Sequence, residues 1–354
     1  VLLDEDRPHH QAPSDNGLME SADVLVLGLG PAGASAAAQA ARRGCTVIAL
    51  DRKREAGVPV QCAELVPQML QVRPEVIRQP VDGMATFVED DAAELKAGFP
   101  GHMLDRALFD ASLVEEARRA GADVRLSRFV NRVTASGEVN LSDGAVLRAP
   151  VIIGADGPRS RAGKAIGSVN RELVETRQIT VPLLQAYSAT DIFLSAQIPG
   201  GYGWLFPKGE LANLGAGVSP PFKPRLKSIV ERLHASQSHR VAREILGLTG
   251  GAIPVGGMLK PWGFLEKTLV LLAGDAAGLA NPVTGAGIAA AVHSGRLAGQ
   301  AAASRDYRAY EEELADVYRA ALDRALDRRS ELLVSKPEKA ALRRGWIAYP
   351  EYWQ

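Results

Sequence analysis

Two glycine-rich turns, each entered from an apolar strand and left through a helix of small residues, constrain this chain more than any other feature. The first is VLVLGLGPAGASAAA, in which Asp23–Leu27 reads as a strand and Ala32–Arg43 as a helix. Gly28 permits the tight turn, Gly30 lets backbone approach a pyrophosphate, and Gly33 lets the helix pack on the strand. Pro31 and Ala32 open the helix with unpaired N–H groups, and proline is tolerated there because its missing donor had no partner anyway. Gly44 ends the helix, and the next strand, Thr46–Leu50, delivers Asp51, placed to bind adenosine ribose hydroxyls, with Arg52 beside it. The second turn lies in Leu269–Gly287, LVLLAGDAAGLANPVTGAG, where a strand ends in Gly274-Asp275 and a Pro/Gly loop feeds another helix. A nicotinamide-only fold has no use for that second element. Two phosphate-facing turns far apart in sequence suit a long dinucleotide held along its length, which is FAD.

The rest of the chain organises around these turns. Asp105–Ala120 reads as an amphipathic helix with Leu108, Leu113, Val114 and Ala117 on one side. Hairpin signals follow at Ser136-Gly137 and Asp143-Gly144, then a buried strand, Val151–Gly154, ending in Ala155-Asp156-Gly157. From about 169 to 265 the texture changes to strands punctuated by Pro and Gly, with a helix over Lys227–Ala235 and a second helical segment after it. Beyond Gly285 the pattern is mostly helical. The expected class is α/β (α+β overall): a Rossmann-like FAD-binding domain, an inserted mixed β-sheet substrate domain and a helical C-terminal segment. The boundaries place FAD-binding parts at 21–75, 103–168 and 266–305, the substrate domain at 76–102 and 169–265, and the C-terminal segment at 306–354.

Composition removes several alternatives. Lys and Arg (41) balance Asp and Glu (41), and aromatic residues are 5% of the chain, so neither an electrostatic footprint nor stacking platforms for nucleic acid exist. Apolar runs are too short to span a bilayer. Cys45 and Cys62 are too few for a disulfide scaffold, which leans the expected location to the cytoplasm. No His/Cys cluster has metal-ligand spacing. His293 reads as packing or a cap partner, and Cys45 as packing. Residues 1–18 are polar and acidic with no apolar core, unlike a secretory signal, and read as a tail without function.

The segments VLVLGLGPAGASAAA, VIIGADGPRSRAGKAIG and LVLLAGDAAGLANPVTGAGIAAA resemble, in order, the three FAD motifs of the para-hydroxybenzoate-hydroxylase and geranylgeranyl-reductase superfamily. The resemblance implies that Asp156 and Gly157 contact FAD and reach toward a transient nicotinamide, NAD(P)H being the reductant. It implies that Gly274 and Asp275 meet the ribityl chain, that Pro282, Gly285, Ala286 and Gly287 lie beside the isoalloxazine, and that Arg106 touches the phosphate side. The chain departs from the family at Gly163-Lys164, where an arginine often follows the Asp-Gly motif.

Two further segments bear on the substrate. GGYGWLFPKG resembles the Tyr-x-Trp-x-Phe-Pro signature of geranylgeranyl-reductase-like flavoproteins, and Tyr202, Trp204 and Phe206 alternate so that all three rings face one side. They line either a substrate cavity facing the flavin or an ordinary sheet core. VQCAELVP resembles the Cys-x-Glu motif of prenyl reductases through Cys62 and Glu64, with Ala63 replacing the family's glycine. Cys62 is thus either a cavity residue near the flavin or a plain buried thiol. VQCAELVP, the RQITVPLL…GGYGWLFPKG stretch and the tail WIAYPEYW are also similar to flavoproteins that mature cysteine tryptophylquinone in bacterial amine dehydrogenases. That similarity implies an FAD monooxygenase using O2 on an electron-rich ring, with a tryptophan of a partner polypeptide as substrate, in quinone cofactor biogenesis. The expectation is therefore hydroxylation; the alternatives are an isoprenoid double-bond reductase or a non-catalytic electron carrier. A peptide or a small molecule remains open as the substrate, and the sequence does not fix the oligomeric state.

Overall fold

The computed structural model describes residues 20–333 and 337–354, so the tail at residues 1–18 lies outside the described residues. Three four-residue runs, Val24–Leu27, Val47–Leu50 and Val151–Gly154, are buried along their whole length, as parallel strands covered on both faces must be. They form the centre of a six-stranded sheet in the order Trp262–Leu265, Thr268–Leu272, Val151–Gly154, Val24–Leu27, Val47–Leu50, Asp123–Arg125. Every pair is parallel except the edge pair of Trp262–Leu265 with Thr268–Leu272. Leu27 lies opposite both Leu50 and Gly154, so the turns carrying Gly28, Asp51 and Asp156 leave the sheet side by side, at the carboxyl ends where open α/β sheets bind ligands.

Helix Pro31–Arg42 packs on this sheet and is crossed by helix Ile288–Ser304. Gly295 and Gly299 make the crossing: a Cβ on either would lie 2.1 Å from the Ala32 carbonyl oxygen or 2.4 Å from that of Ala36. Backbone meets backbone, closer than side chains would permit. Helix Arg106–Arg119 is capped by the Asp105 carboxylate, which accepts from the Leu108 N–H at 3.0 Å. Its buried face is Phe109, Asp110, Leu113, Val114 and Ala117. Leu108, expected on that face, is 45% exposed; the stripe through Leu113 continues three and four residues back to Asp110 and Phe109.

The second sheet is mixed. Its order is Gly247–Thr249, Leu173–Pro182, Leu211–Val218, Gly203–Lys208, Ala189–Leu194, Ile77–Val88, Glu94–Leu104, Leu65–Pro67, with Ala252–Pro254 also pairing Leu173–Pro182. Ala189–Leu194 runs parallel to Ile77–Val88, and the other pairs are antiparallel. Strand alternation sends Leu205, Leu214 and Ile179 into a core beneath helix Leu226–Ser236, and sends Trp204 and Phe206 to the opposite face. No second helix follows Leu226–Ser236 before the edge strand. Residues 240–246 attach to the sheet instead, with Ala242 N–H donating to Pro182 O and Leu246 N–H to Thr180 O, both at 2.9 Å. Leu65–Pro67 belongs to this sheet and Trp262–Leu265 to the first, each across a boundary drawn from sequence.

A small four-stranded sheet joins Glu20–Ser21 to the hairpins of residues 130–148. Helices Tyr307–Leu314, Ala320–Leu332 and Lys339–Arg344 follow the first domain. Leu332, Leu342, Trp346, Tyr349 and Tyr352 share one buried cluster with Trp204 and Phe206, so the C-terminal segment covers the aromatic face of the second sheet. Among the described residues, no helix is long and apolar enough to cross a membrane.

Candidate active site

The nucleotide end is built from backbone. Gly28 has φ +91, and a Cβ there would strike the Ala155 carbonyl oxygen at 2.4 Å, so this turn presses directly on the Ala155-Asp156 turn. Gly30 is the opposite case: a Cβ there meets no atom within 4 Å. Gly30 also serves as N-cap of helix Pro31–Arg42, which has no side-chain cap. Its first N–H groups therefore face open space with the positive end of the helix dipole behind them, which suits a pyrophosphate. Asp51 accepts from the Leu29 N–H at 2.7 Å and the Lys53 N–H at 2.8 Å, bracing the turn beside the ribose position, while Arg52 is exposed. The Asp156 carboxylate turns away to accept from the Ser160 hydroxyl and, at 2.6 Å, the Arg161 N–H. Burial pushes its pKa up against those bonds. What this segment offers a dinucleotide is thus the open backbone at Gly157.

The flavin end is a loop closed on itself. Asn281 Oδ1 accepts the N–H groups of Val283 and Thr284 at 2.9 Å, and the Asn281 N–H donates to Ala286 O at 2.9 Å. The Gly285 N–H donates to Asn281 O at 2.8 Å. Pro282, Gly285 and Ala286 are thereby held in one rigid turn, and Gly287 begins helix Ile288–Ser304, a second N-terminus without a side-chain cap. Asp275 lies at that N-terminus: its Oδ1 is 3.2 Å from where a Gly287 Cβ would stand. No described side chain or N–H donates to this carboxylate, and burial raises its pKa to about 6 against the pull of the Arg106 charge. An acid without a donor, between two uncapped helix ends, fits the hydroxyl-rich middle of FAD, and these residues together fit the cofactor.

Facing this loop is the turn Cys62-Ala63-Glu64. Glu64 has φ +72, a strained conformation for a residue with a side chain, and its N–H donates to Cys62 Sγ at 3.2 Å. The Glu64 carboxylate is buried and fully engaged: Lys208 Nζ reaches its oxygens at 2.8 and 2.7 Å, Asn213 Nδ2 donates at 2.8 Å and the Arg106 N–H at 3.1 Å. Arg106, mostly covered, forms a two-pronged pair with the buried Asp110 at 2.9 and 3.0 Å. Its charge bears on Cys62 and Asp275 from within the protein. Burial pushes the Cys62 thiol up, opposed by Arg106.

Two rows cross the second sheet beside this turn, and their rings Trp204 and Phe206 lie in the buried cluster closed by the C-terminal segment. Trp204, Gly215 and Gln178 are register neighbours on three strands, and Trp204 Nε1–H donates to Gln178 Oε1 at 3.0 Å across the glycine. A Cβ on Gly215 would stand 2.5 Å from the Trp204 ring. Gln178 also donates to Cys62 O at 3.1 Å. In the next row Phe206, Asn213 and Thr180 are neighbours, with Thr180 Oγ1 donating to Asn213 Oδ1 at 3.1 Å. Tyr202 donates to Thr284 O of the flavin loop at 2.6 Å and packs 4.8 Å from Trp346, ring centre to ring centre. The structure thus brings Cys62, Glu64, Arg106, Asp275, Tyr202 and Trp204 to one region. His293 shares a 2.9 Å hydrogen bond with the Tyr318 hydroxyl, and Cys45 packs half-buried on the first core.

Sequence reasoning missed Lys208, Asn213, Gln178, Asn281 and Trp346. Lys208 was legible as the next inward position after Phe206, and Gln178 and Thr180 as polar residues alternating with Ile179 and Val181.

Comparison with known proteins supplies the context. Residues 21–183 match the FAD binding domain model, and residues 174–253 match the geranylgeranyl reductase catalytic domain model. The chain is 33% identical to the digeranylgeranylglycerophospholipid reductase of Methanosarcina acetivorans, over 79% of this chain and 74% of that one. It is 36% identical to digeranylgeranylglycerophospholipid reductase 1 of Methanopyrus kandleri, over 79% of this chain and 80% of that one. The crystal structure of a geranylgeranyl bacteriochlorophyll reductase-like protein from Thermoplasma acidophilum superposes with a TM-score of 0.79 at 26% identity, covering 94% of this chain and 98% of that one. These findings overturn the hydroxylase expectation. Nothing in them supports the tryptophan of a partner polypeptide, the link to tryptophylquinone biogenesis or the role of O2. The three FAD motifs are shared by hydroxylases and reductases alike and do not discriminate, and the tail WIAYPEYW contributes rings to the buried cluster.

Proposed function

The chain belongs to the geranylgeranyl-reductase-like family of FAD-binding oxidoreductases, and from that premise we propose that it reduces isolated carbon–carbon double bonds in the isoprenoid chain of a lipid. The observation that carries this reading is that the polar tips of the two rings nearest the flavin loop are already paired within the protein. The Trp204 N–H is consumed by Gln178 and the Tyr202 hydroxyl by Thr284 O. The rings are left with hydrocarbon faces to offer, suited to a chain that has no hydrogen-bonding group of its own.

Bound FAD, held at Gly30, Asp51, Asp275 and the Asn281–Gly287 loop and reduced by NAD(P)H, would supply the hydride. The polypeptide supplies position, dryness and a proton. An alkene carbon that gains hydride leaves its neighbour in need of a proton, and few groups here have one to give. Both oxygens of Glu64 are engaged by Lys208 and Asn213, and the Tyr202 proton is committed to Thr284 O. The Cys62 thiol stays protonated at neutral pH because burial raises its pKa. Cys62 Sγ–H is the proton source in this reading, and the charge of Arg106 moderates the cost of the thiolate until solvent restores the proton.

The test is anaerobic. FAD-loaded protein reduced with dithionite is mixed with a geranylgeranyl ether lipid, and products are read by mass spectrometry. The expected result is a gain of two hydrogens per double bond, with Cys62→Ala slowing the gain. Unchanged lipid beside fully reduced, correctly folded protein would sink the reading.

A further inference from the structure

Among the described residues, five acidic or basic side chains are buried: Glu64, Asp110, Glu175, Asp191 and Arg329. Each of the four carboxylates has a cationic partner, respectively Lys208, Arg106, Arg159 with Lys223, and Arg240. Arg329 has none among the described residues. It projects from helix Ala320–Leu332, is 4% exposed, and donates from Nη1 to Pro282 O at 3.1 Å and from Nη2 to Gly200 O at 3.0 Å. Its Nε–H is buried without a partner.

Burying a cation with no carboxylate at ion-pair distance is costly; burial lowers the proton affinity of the guanidinium, and the Glu172 charge, acting from further off, only partly opposes that. Two neutral carbonyls offset only part of that cost. The identity of the two carbonyls matters: Pro282 belongs to the flavin loop and Gly200 to the turn entering the aromatic strand. The cation therefore stands behind the junction of cofactor loop and aromatic strand. FAD reduced by two electrons carries a negative charge on its pyrimidine ring when it takes up a single proton. We infer that Arg329 is a positioning residue whose charge serves as the built-in counter-ion of the reduced cofactor, so that the protein favours the reduced, negatively charged state before any substrate arrives. The inference needs FAD but not the isoprenoid substrate, so it stands or falls separately from the proposed alkene reduction.

The experiment measures the midpoint potential of the FAD-loaded protein by spectroelectrochemical titration, without lipid, for wild type, Arg329→Gln and Arg329→Lys, with thermal unfolding recorded in parallel. Removing the charge in Arg329→Gln should lower the reduced-to-oxidised ratio at fixed potential by about tenfold, which is about 30 mV for a two-electron couple. Arg329→Lys keeps the charge and should stay near wild type even where its thermal stability falls. Equal potentials in Arg329→Gln and wild type overturn the inference, as does a drop of the same size in both variants. Should Arg329→Gln not fold, the wild-type potential is followed between pH 5.5 and 6.5. Uptake of one proton per two electrons, a slope of about 30 mV per pH unit, is expected, and uptake of two protons overturns it.

Discussion

Lys208 Nζ donates to both oxygens of Glu64, at 2.8 and 2.7 Å, and so ties the strained Cys62–Glu64 turn to the end of the aromatic strand. The carboxylate is 5% exposed and the ammonium 20%. Such a pair specifies geometry more than it stabilises, yet losing one partner strands the other. Lys208→Met should destabilise the protein by about 3 kcal/mol in urea titration, and Lys208→Met with Glu64→Gln should recover part of that loss. A double variant as unstable as the sum of the singles would mean that the two side chains act independently.

Gly30 separates cofactor binding from folding. A Cβ at this position meets no protein atom, so Gly30→Ala should melt within a few degrees of wild type. Gly30→Asp should also fold but purify colourless, because a carboxylate would stand where the pyrophosphate binds. Absorbance at the flavin band per mole of protein reads the outcome, and full FAD occupancy in Gly30→Asp would place the pyrophosphate elsewhere.

Asp275 makes the cofactor-free protein sensitive to pH. Its pKa is about 6 in the fold against 3.8 for the free group. Between those values the folded chain keeps a proton that the unfolded chain releases, so stability falls as pH rises through the interval. The penalty is absent below about pH 4 and complete above about pH 6. Asp275→Asn should therefore exceed wild type by about 3 kcal/mol at pH 7.5 and match it near pH 4, in paired urea titrations. On the proposed cofactor placement, the same variant should hold FAD less well.

Gly215 makes room for the Trp204 ring. Gly215→Ala should push the ring off the sheet into the aromatic cluster, costing about 1–3 kcal/mol in stability. It should raise KM for long isoprenoid chains more than for short ones. A uniform change across chain lengths would separate Trp204 from the substrate path.

Legibility followed the range of the interactions. The turns at Gly28–Gly33 and Gly274–Gly287 are local, and local sequence contains the reason for them: a strand, a glycine at positive φ, a helix start. Glu64 and Cys62 were visible as a motif, but the partners that give them chemistry were not. Lys208, Asn213 and Gln178 come from three strands brought together by register, which no short window encodes. Arg329 is further still, on a C-terminal helix whose sequence, ALDRALDRRSEL, reads as an exposed charged surface. The choice between hydroxylation and reduction was illegible for a different reason. The FAD motifs serve both, and what favours reduction is similarity along most of the chain to reductases rather than any short motif.

The crossing of the two small-residue helices has one more effect. With Gly295 against Ala32 and Gly299 against Ala36, the Asn281–Gly287 loop and the Gly28–Pro31 turn are mounted on a single rigid frame. The frame works as a ruler. A ligand must be long enough to reach both marks at once, and one that reaches only a single mark gives up the gain from joining two weak attachments into one. On the proposed placement flavin mononucleotide meets both marks with its ring and its phosphate but, lacking the adenylate half, leaves the Asp51 position unfilled, so it is expected to bind more weakly than FAD.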